Sequence, residues 1–230
     1  MTNTPLHLVQ AILDAGRYEP ETHAEAPAMP KPLVTISRFY GAAGSNTSKL
    51  LADRLGVHLY DKELLTTIVN KTKGDKELLA RLDEHVRGLV DEMLISFFSK
   101  KSITSDQYYR YMAKVILGIA PLGGVIVGRA AHLLLSPTKA FRVRLEGSLA
   151  TCVERLAKNK NIKPDKAAKL ILETNKERDQ FERQVAKRFP GAHHGFDLTV
   201  NTDRFAPEQA VQVIIAAMRE AGFQTPEQPV

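Results

Sequence analysis

Three sets of residues in this chain could act together on an anionic ligand. The first is Gly41-Ala42-Ala43-Gly44-Ser45-Asn46-Thr47-Ser48, a small and flexible run. It follows the apolar, β-branched stretch 33–36, which reads as a buried parallel strand. It leads into a helical pattern with Leu50, Leu51 and Leu55 apolar and Gly56 as a stop. Strand, small loop and helix together point loop amides and a helix N-terminus at one spot, which suits phosphate. The plainer alternative is a strand–turn–helix whose loop residues are merely small. The second set is Asp61 with Lys62, after the short strand pattern 57–60, and Arg129, which ends the apolar run 124–128. Open α/β sheets bind ligands at the carboxyl ends of their strands. Asp61 equally reads as a helix cap, because the dipole favours acids at helix starts. The third set is Arg178, Asp179 and Arg183, within the stretch 158–188 that holds ten Lys/Arg against five Asp/Glu. Such arginines can close over phosphates as a mobile arm. A solvated helix face with i,i+4 pairs explains the same charge run.

The small loop departs from the standard phosphate-loop pattern G-x-x-x-x-G-K-[ST]. Counted from Gly41, the pattern needs Gly at Asn46, Lys at Thr47 and Ser/Thr at Ser48, and only the last is met. A second register, which keeps strand and helix in phase, puts Gly44 where the lysine belongs. Neither register supplies the lysine that reaches the outer phosphates. Arg38, Lys49 and Lys62 are the cations near enough in sequence to replace its charge, and spacing alone does not choose among them.

The elements that must position these residues alternate between strand and helix. After the first helix come a strand at 57–60 and a helix opened by Asp61-Lys-Glu63 and running through Val69. Residues 78–120 are mostly helical, with a loop expected at 100–106 and a cluster of Tyr108, Tyr109 and Tyr111 that reads as core rather than as a base-stacking platform. This insertion would suit a substrate-binding lid or a dimer surface. Further strands follow at 124–127, 140–146 and 196–201. In the second of these Arg142 and Arg144 alternate with Phe141, Val143 and Leu145, which implies a polar face or a place near an edge. Ser148 is placed to cap a helix from Leu149 to Lys158, and Pro207 opens the last helix. Alternating strands and helices argue a parallel sheet with right-handed crossovers. Upstream, a short amphipathic helix at 5–16 and a proline-rich linker at 19–32 read as an appendage.

Composition narrows the function classes. A chain of 230 residues with 43% hydrophobic content can bury one full core, with room for a small insertion. The net charge of +6 suits anionic ligands such as nucleotides. It is interleaved with acids, which ranks a nucleic-acid-binding role last. The one cysteine, Cys152, excludes an internal disulfide and sits in a helical pattern as a small hydrophobe. No run is apolar and long enough to cross a membrane, no secretory signal is evident, and a cytoplasmic location is the expectation.

At this point the chain resembles the cytidylate kinase-like family of phosphate-loop nucleoside monophosphate kinases, over about residues 33–220. The stretch 36–44, ISRFYGAAG, is similar to the family's I-S-R-x-Y-G-S-G-G loop. Leu59-Tyr-Asp-Lys-Glu-Leu64 is similar to F-Y-D-K-E-L, and Val127-Gly-Arg129 to V-G-R. Asn175-Lys-Glu-Arg-Asp179, followed by Phe181 and Arg183, resembles the arginine-rich lid. Phe196-Asp-Leu-Thr-Val-Asn-Thr202 is similar to the closing Y-D-L-x-I-N-T strand.

The resemblance implies a three-layer α/β kinase domain over 33–224, with a helical insertion at about 74–120, a lid at about 158–190 and a tail at 225–230. It implies ATP on Arg38 and the loop 41–48, and Mg²⁺ bridging the phosphates through Ser45 or Ser48. A CMP-like acceptor would lie near Asp61, Lys62, Arg129 and the insertion, and Arg178, Asp179 and Arg183 would close from the lid. A homodimer through the insertion is the expected assembly. Two departures stand out. The loop lysine is missing, and Ala130 replaces the aspartate that follows Gly-Arg in classical members. A nucleotide-binding regulator that keeps the fold without efficient transfer is therefore the alternative to a kinase.

Overall fold

The computed structural model describes residues 31–74, 80, 104–135, 140–189 and 195–226. The expected N-terminal helix at 5–16, most of the linker and the first part of the insertion lie outside the described residues.

Five short strands form one sheet: β1 (Leu33–Arg38), β2 (Leu59–Tyr60), β3 (Gly124–Val127), β4 (Phe141–Glu146) and β5 (Leu198–Asn201). Their order is β2-β3-β1-β4-β5, and every pairing is parallel. The expected parallel α/β sheet is therefore what this sequence builds. β2 is shorter than the pattern at 57–60 suggests, because Val57 turns in from the preceding helix, its amide bonded to the Ala52 carbonyl at 3.0 Å. The chain leaves β1 toward one edge and returns past it to β4 on the other side. The carboxyl end of β1 is thus the topological switch point, where a crevice opens in sheets of this kind.

The alternation along each strand divides the core into two layers. Val34, Ile36, Val125, Val127, Phe141, Val143, Leu145 and Val200 pack on one side against helices α1 (Gly44–Leu55) and α7 (Pro207–Glu220). Leu33 and Ile126 face the other side, under α2 (Lys62–Gly74), α3 (Thr104–Ile119) and the short α4 (Ala131–Leu134). In α1 the buried positions are Gly44, Thr47, Ser48, Leu51, Ala52 and Leu55, a helical stripe facing the sheet. Gly56 ends α1 at φ 65, its amide bonded to the Ala52 and Asp53 carbonyls. α2 runs five residues beyond the expected Val69, to Gly74.

Two helices follow β4: α5 (Leu149–Lys160), capped as expected by Ser148, and α6 (Pro164–Arg188), 25 residues long. Cys152 is buried between the loop after β1 and these helices, with Ala42, Leu156, Ala167 and Ile171. Burial raises its thiol pKa, as a packing role requires.

Arg142 shows why β4 tolerates a charge. β4 is second from the edge, and Arg142 is 3% exposed. Its Nη2 and Nε reach Asp197 at 2.8 and 3.2 Å, and Asp197 also accepts the Arg142 amide at 2.8 Å. One carboxylate therefore pins side chain and backbone, and ties the start of β5 to β4. Removing one partner of a buried ion pair leaves a desolvated charge. Asp197→Ala is expected to cost about 3–5 kcal/mol, read as a lowered denaturation midpoint. Arg144→Ala, whose half-buried side chain pairs with the exposed Glu146, should cost under about 1 kcal/mol.

Candidate active site

The site begins where β1 ends. Gly41 has φ +93, and a Cβ there would come within 2.9 Å of the Cys152 carbonyl, so only glycine fits this turn. Ala42 is buried and bonds its amide to the Phe39 carbonyl at 3.2 Å. Ala43 takes φ 52 and starts α1 without a side-chain cap. The helix therefore opens at Gly44. Its first-turn amides have no partner within the helix and face the loop mouth. Ser45 and Asn46 are exposed there, and with Gly41, Ala43 and Gly44 they line a cavity of about 200 Å³ closed by Arg155 and Asn159 of α5. Thr47 and Ser48 turn inward, their hydroxyls donating to the Ala43 and Gly44 carbonyls at 3.1 and 2.7 Å.

A second cavity of about 390 Å³ lies beside the first, over the ends of β1 and β3 and under α6. Arg129, Lys62, Arg144, Asp179 and Phe181 are among its lining residues. Arg38 and Arg178 line both cavities. Arg178 donates from Nη1 to the Arg38 carbonyl at 2.8 Å and its guanidinium lies 5.2 Å from the Tyr40 ring centre. One helical turn earlier, Asn175 accepts the Tyr40 amide at 2.9 Å. α6 thus fastens the loop in two places.

The electrostatics are unusual for a buried cluster. Burial lowers the Arg38 pKa to about 10, helped by the charges of Arg178 and Arg129 and opposed by Asp61. Burial also lowers that of Arg178, which the nearby Tyr40 opposes. Arg129 stacks over Phe181 at 5.3 Å, and its buried Nε has no hydrogen-bond partner. Among the described residues, none of these three arginines has a carboxylate within ion-pair distance. Gly128, Arg129 and Ala130 take φ of 73, 56 and 54 in succession. Left-handed conformations outside glycine are costly, and they gather at functional sites.

One further group escaped sequence reasoning. His132 is 1% exposed; its Nδ1 is 3.2 Å from Ser37 Oγ and its Nε2 is 3.1 Å from Glu182 Oε1. A carboxylate only accepts, so Nε2 donates, and in the neutral ring Nδ1 takes the Ser37 hydroxyl proton. This chain links the end of β1 to α6 beneath the larger cavity. No motif announces it, because its members are separated by 95 and 50 residues.

The expected site residues separate into those the fold gathers and those it does not. Arg38, Gly41, Ala43, Gly44, Ser45, Asn46, Lys62, Arg129, Arg178 and Asp179 line the two cavities. Ala42, Thr47 and Ser48 lie buried behind the loop. Arg183 is exposed and lines neither cavity; five residues along a helix place it about 140° round from Arg178. Tyr108 and Tyr109 pack on Phe181, as core residues do. Of the candidates to replace the loop lysine, Lys49 is exposed and lines neither cavity, Lys62 lines only the larger one, and Arg38 lines both.

Asp61 meets its reading as a cap and lines neither cavity. Its Oδ1 accepts the Leu64 amide at 2.8 Å, a cap on α2, while its charge reaches Arg38. Two substitutions separate the roles. Asp61→Ala should cost about 1 kcal/mol through the lost cap. Asp61→Asn keeps a capping oxygen and should leave the melting temperature nearly unchanged. If the charge matters to ligand binding, calorimetry with nucleotides will show Asn and Ala shifting affinity alike; if only the cap matters, Asn will bind as wild type.

The comparisons with known proteins fit this geometry. The model of the cytidylate kinase-like family matches residues 33–204. An uncharacterized protein from Eubacterium ventriosum has a similar structure, with TM-score 0.64 and 19% identity, covering 83% of this chain and 99% of that one. It shares the fold. The YorR protein of Bacillus subtilis, solved in complex with phosphorylated GDP, matches with TM-score 0.38 and 18% identity, over 84% of this chain and 99% of that one. That likeness is too low to argue from. No curated protein matches this chain.

Proposed function

The chain belongs to the cytidylate kinase-like family, and from that membership we propose that it moves the γ-phosphoryl group of ATP to a nucleoside monophosphate, CMP-like by family resemblance. The observation that carries the reading is the sharing of Arg38 and Arg178 by two adjoining cavities. A donor in one and an acceptor in the other would meet at these guanidinium groups. Phosphoryl transfer asks little of a protein beyond positioning and charge. No base is needed when the attacking oxygen is already part of a phosphate.

Each residue then has a physical task. The first-turn amides of α1, with Gly41 leaving room for the turn, cradle the donor phosphates. Arg129 stands at the acceptor cavity with its Nε free, and a guanidinium can hold a phosphate through two parallel bonds. Arg178 completes the charge where the phosphoryl group passes, and α6 serves as the lid that carries it. Ser45 suits a magnesium ion carried with ATP. Its hydroxyl is exposed on the donor cavity, and magnesium takes hard oxygens, mostly from phosphate and water. Held by Ser45, the ion would neutralise part of the phosphate charge. Ser48, whose hydroxyl is buried against the Gly44 carbonyl, is the poorer ligand.

The second reading, a nucleotide-binding regulator, draws on Gly44 opening α1 where the second motif register expects lysine. A screen of nucleoside monophosphates with ATP and magnesium decides between them. The kinase reading expects ADP release with at least one acceptor. ATP binding with no acceptor turned over replaces it with the regulator.

The lid adds a sharper test. Arg178→Ala should lower kcat by on the order of a thousandfold, with a smaller effect on ATP affinity, because a charge used in the transition state matters most to turnover. Lys166→Ala, a charge loss elsewhere on α6, should be silent. Arg183→Ala should resemble Lys166→Ala if α6 acts from the position seen, and Arg178→Ala if closure turns Arg183 inward. Equal small effects at all three would return the run to a solvated helix face.

A further inference from the structure

The glycine that opens α1 has no backbone reason to be glycine. Gly44 is helical and avoids the left-handed region that makes Gly41 obligatory. What excludes a larger residue is Arg38. A Cβ on Gly44 would stand 2.7 Å from Arg38 Cγ, 2.9 Å from its Cβ and 3.2 Å from its Cδ. The aliphatic stem of Arg38 thus lies where a side chain of residue 44 would begin. At its far end, Arg38 Nη1 comes 2.5 Å from where a Gly128 Cβ would stand. Two glycines, one at the start of α1 and one after β3, clear a channel in which this arginine lies.

We propose that Arg38 and Gly44 have exchanged roles: the arginine at the end of β1 delivers the positive charge that phosphate loops take from a lysine at the place of Gly44. This deepens the kinase reading and rests on it. The helix starting at Gly44 favours the register in which Gly44 takes the lysine's place, with Ser45 next as the hydroxyl position. A lysine there projects forward from the helix to the outer phosphates. Arg38 reaches the same ground from the strand behind: its stem lies against Gly44 of the smaller cavity and its guanidinium beside Gly128 of the larger one. The Arg178 bond to the Arg38 carbonyl holds its backbone in place. As the bond from the γ-phosphorus to the leaving diphosphate oxygen breaks and the bond to the acceptor oxygen forms, the charge on both sides falls within reach of one fixed cation.

An exchange makes a prediction that a structural arginine does not: the swapped protein works. Three variants suffice, Arg38→Met, Gly44→Lys and the double Arg38→Gly/Gly44→Lys, in which glycine removes the Cβ that stands 2.9 Å from that of the new side chain. Met keeps the stem that packs on Gly44 and removes only the charge. Arg38→Met should lower turnover of any accepted monophosphate by about a hundredfold or more. It should also shrink the preference for ATP over ADP in calorimetry, since the missing charge faces the outer phosphate. Gly44→Lys alone places two cations in one channel and should bind ATP less well than wild type. The double variant should recover at least tenfold of the turnover lost in Arg38→Met, together with the ATP preference.

Arg38→Met with wild-type turnover and ATP preference overturns the inference. So does a double variant that melts as a folded protein yet performs no better than Arg38→Met. The two levels fail separately. A wild-type protein that prefers ATP over ADP, with that preference surviving in Arg38→Met, ends the exchange and leaves the kinase reading standing. A wild-type protein that binds neither nucleotide ends both.

Discussion

Among the described residues, three guanidinium groups share a partly buried space with no carboxylate within ion-pair distance, and much of the local architecture follows from that. Arg38, Arg129 and Arg178 repel one another in a medium less polar than water, where the interaction is stronger than at a surface. A protein holding them together gives up stability to do so. The groups that touch them are those that keep cations close without neutralising them. Aromatic faces stand under Arg129 and Arg178, a backbone carbonyl accepts from Arg178, and glycines at 44 and 128 make room for Arg38. Asp61 is the carboxylate whose charge reaches Arg38, and its Oδ1 is already engaged with the Leu64 amide. On the proposed function, a site so arranged would take its counter-charge from the phosphates of a nucleotide.

The backbone is arranged to the same end. β1 ends at the switch point of the sheet, so the loop that follows lies at the crevice rather than on a flank. Gly41 turns the chain tightly against α5, and α1 starts where the turn ends. Asn175 and Arg178 then fasten this loop to α6 from the other side. The His132 chain repeats the connection beneath, from Ser37 to Glu182. Donor loop and α6 are therefore parts of one hydrogen-bonded assembly, and a movement of α6 must either carry the loop or break these bonds.

The fold was legible because its signals are local. Short apolar runs alternate with helical patterns, and each strand lies within two or three residues of its expected place. The tight turn was legible from Gly41, and the family from the motifs quoted with it. Three features were not. Ser37, His132 and Glu182 meet only through the sheet, across separations that no motif spans. Arg183 and Arg178 look equivalent in a charge run, yet helical geometry sends them to different sides. Arg142 suggested a polar face or a place near an edge, and β4 does lie second from the edge, but the burial of its guanidinium depends on Asp197, beside it in space and 55 residues away in sequence. In each case the deciding quantity is which side chain stands opposite another in three dimensions, and periodicity does not carry that.

The lowered basicity of Arg38 connects stability to function. Its pKa is lowered to about 10 in the folded protein, below the ordinary guanidinium value, so folding disfavours the charged form. The cost is present at every pH below about 10 and is relieved only as pH rises above that, toward the ordinary guanidinium value. At neutral pH the ligand-free protein carries the whole of it. A bound phosphate would favour the charged form and move the pKa back up, returning free energy on binding that was withheld on folding. The missing loop lysine is then no simple loss. On the proposed exchange the cation moves from the start of α1 to the end of the buried strand β1, where it would act on a transferring phosphoryl group with little screening by water. The stability given up by the empty site is the counterpart of that strength.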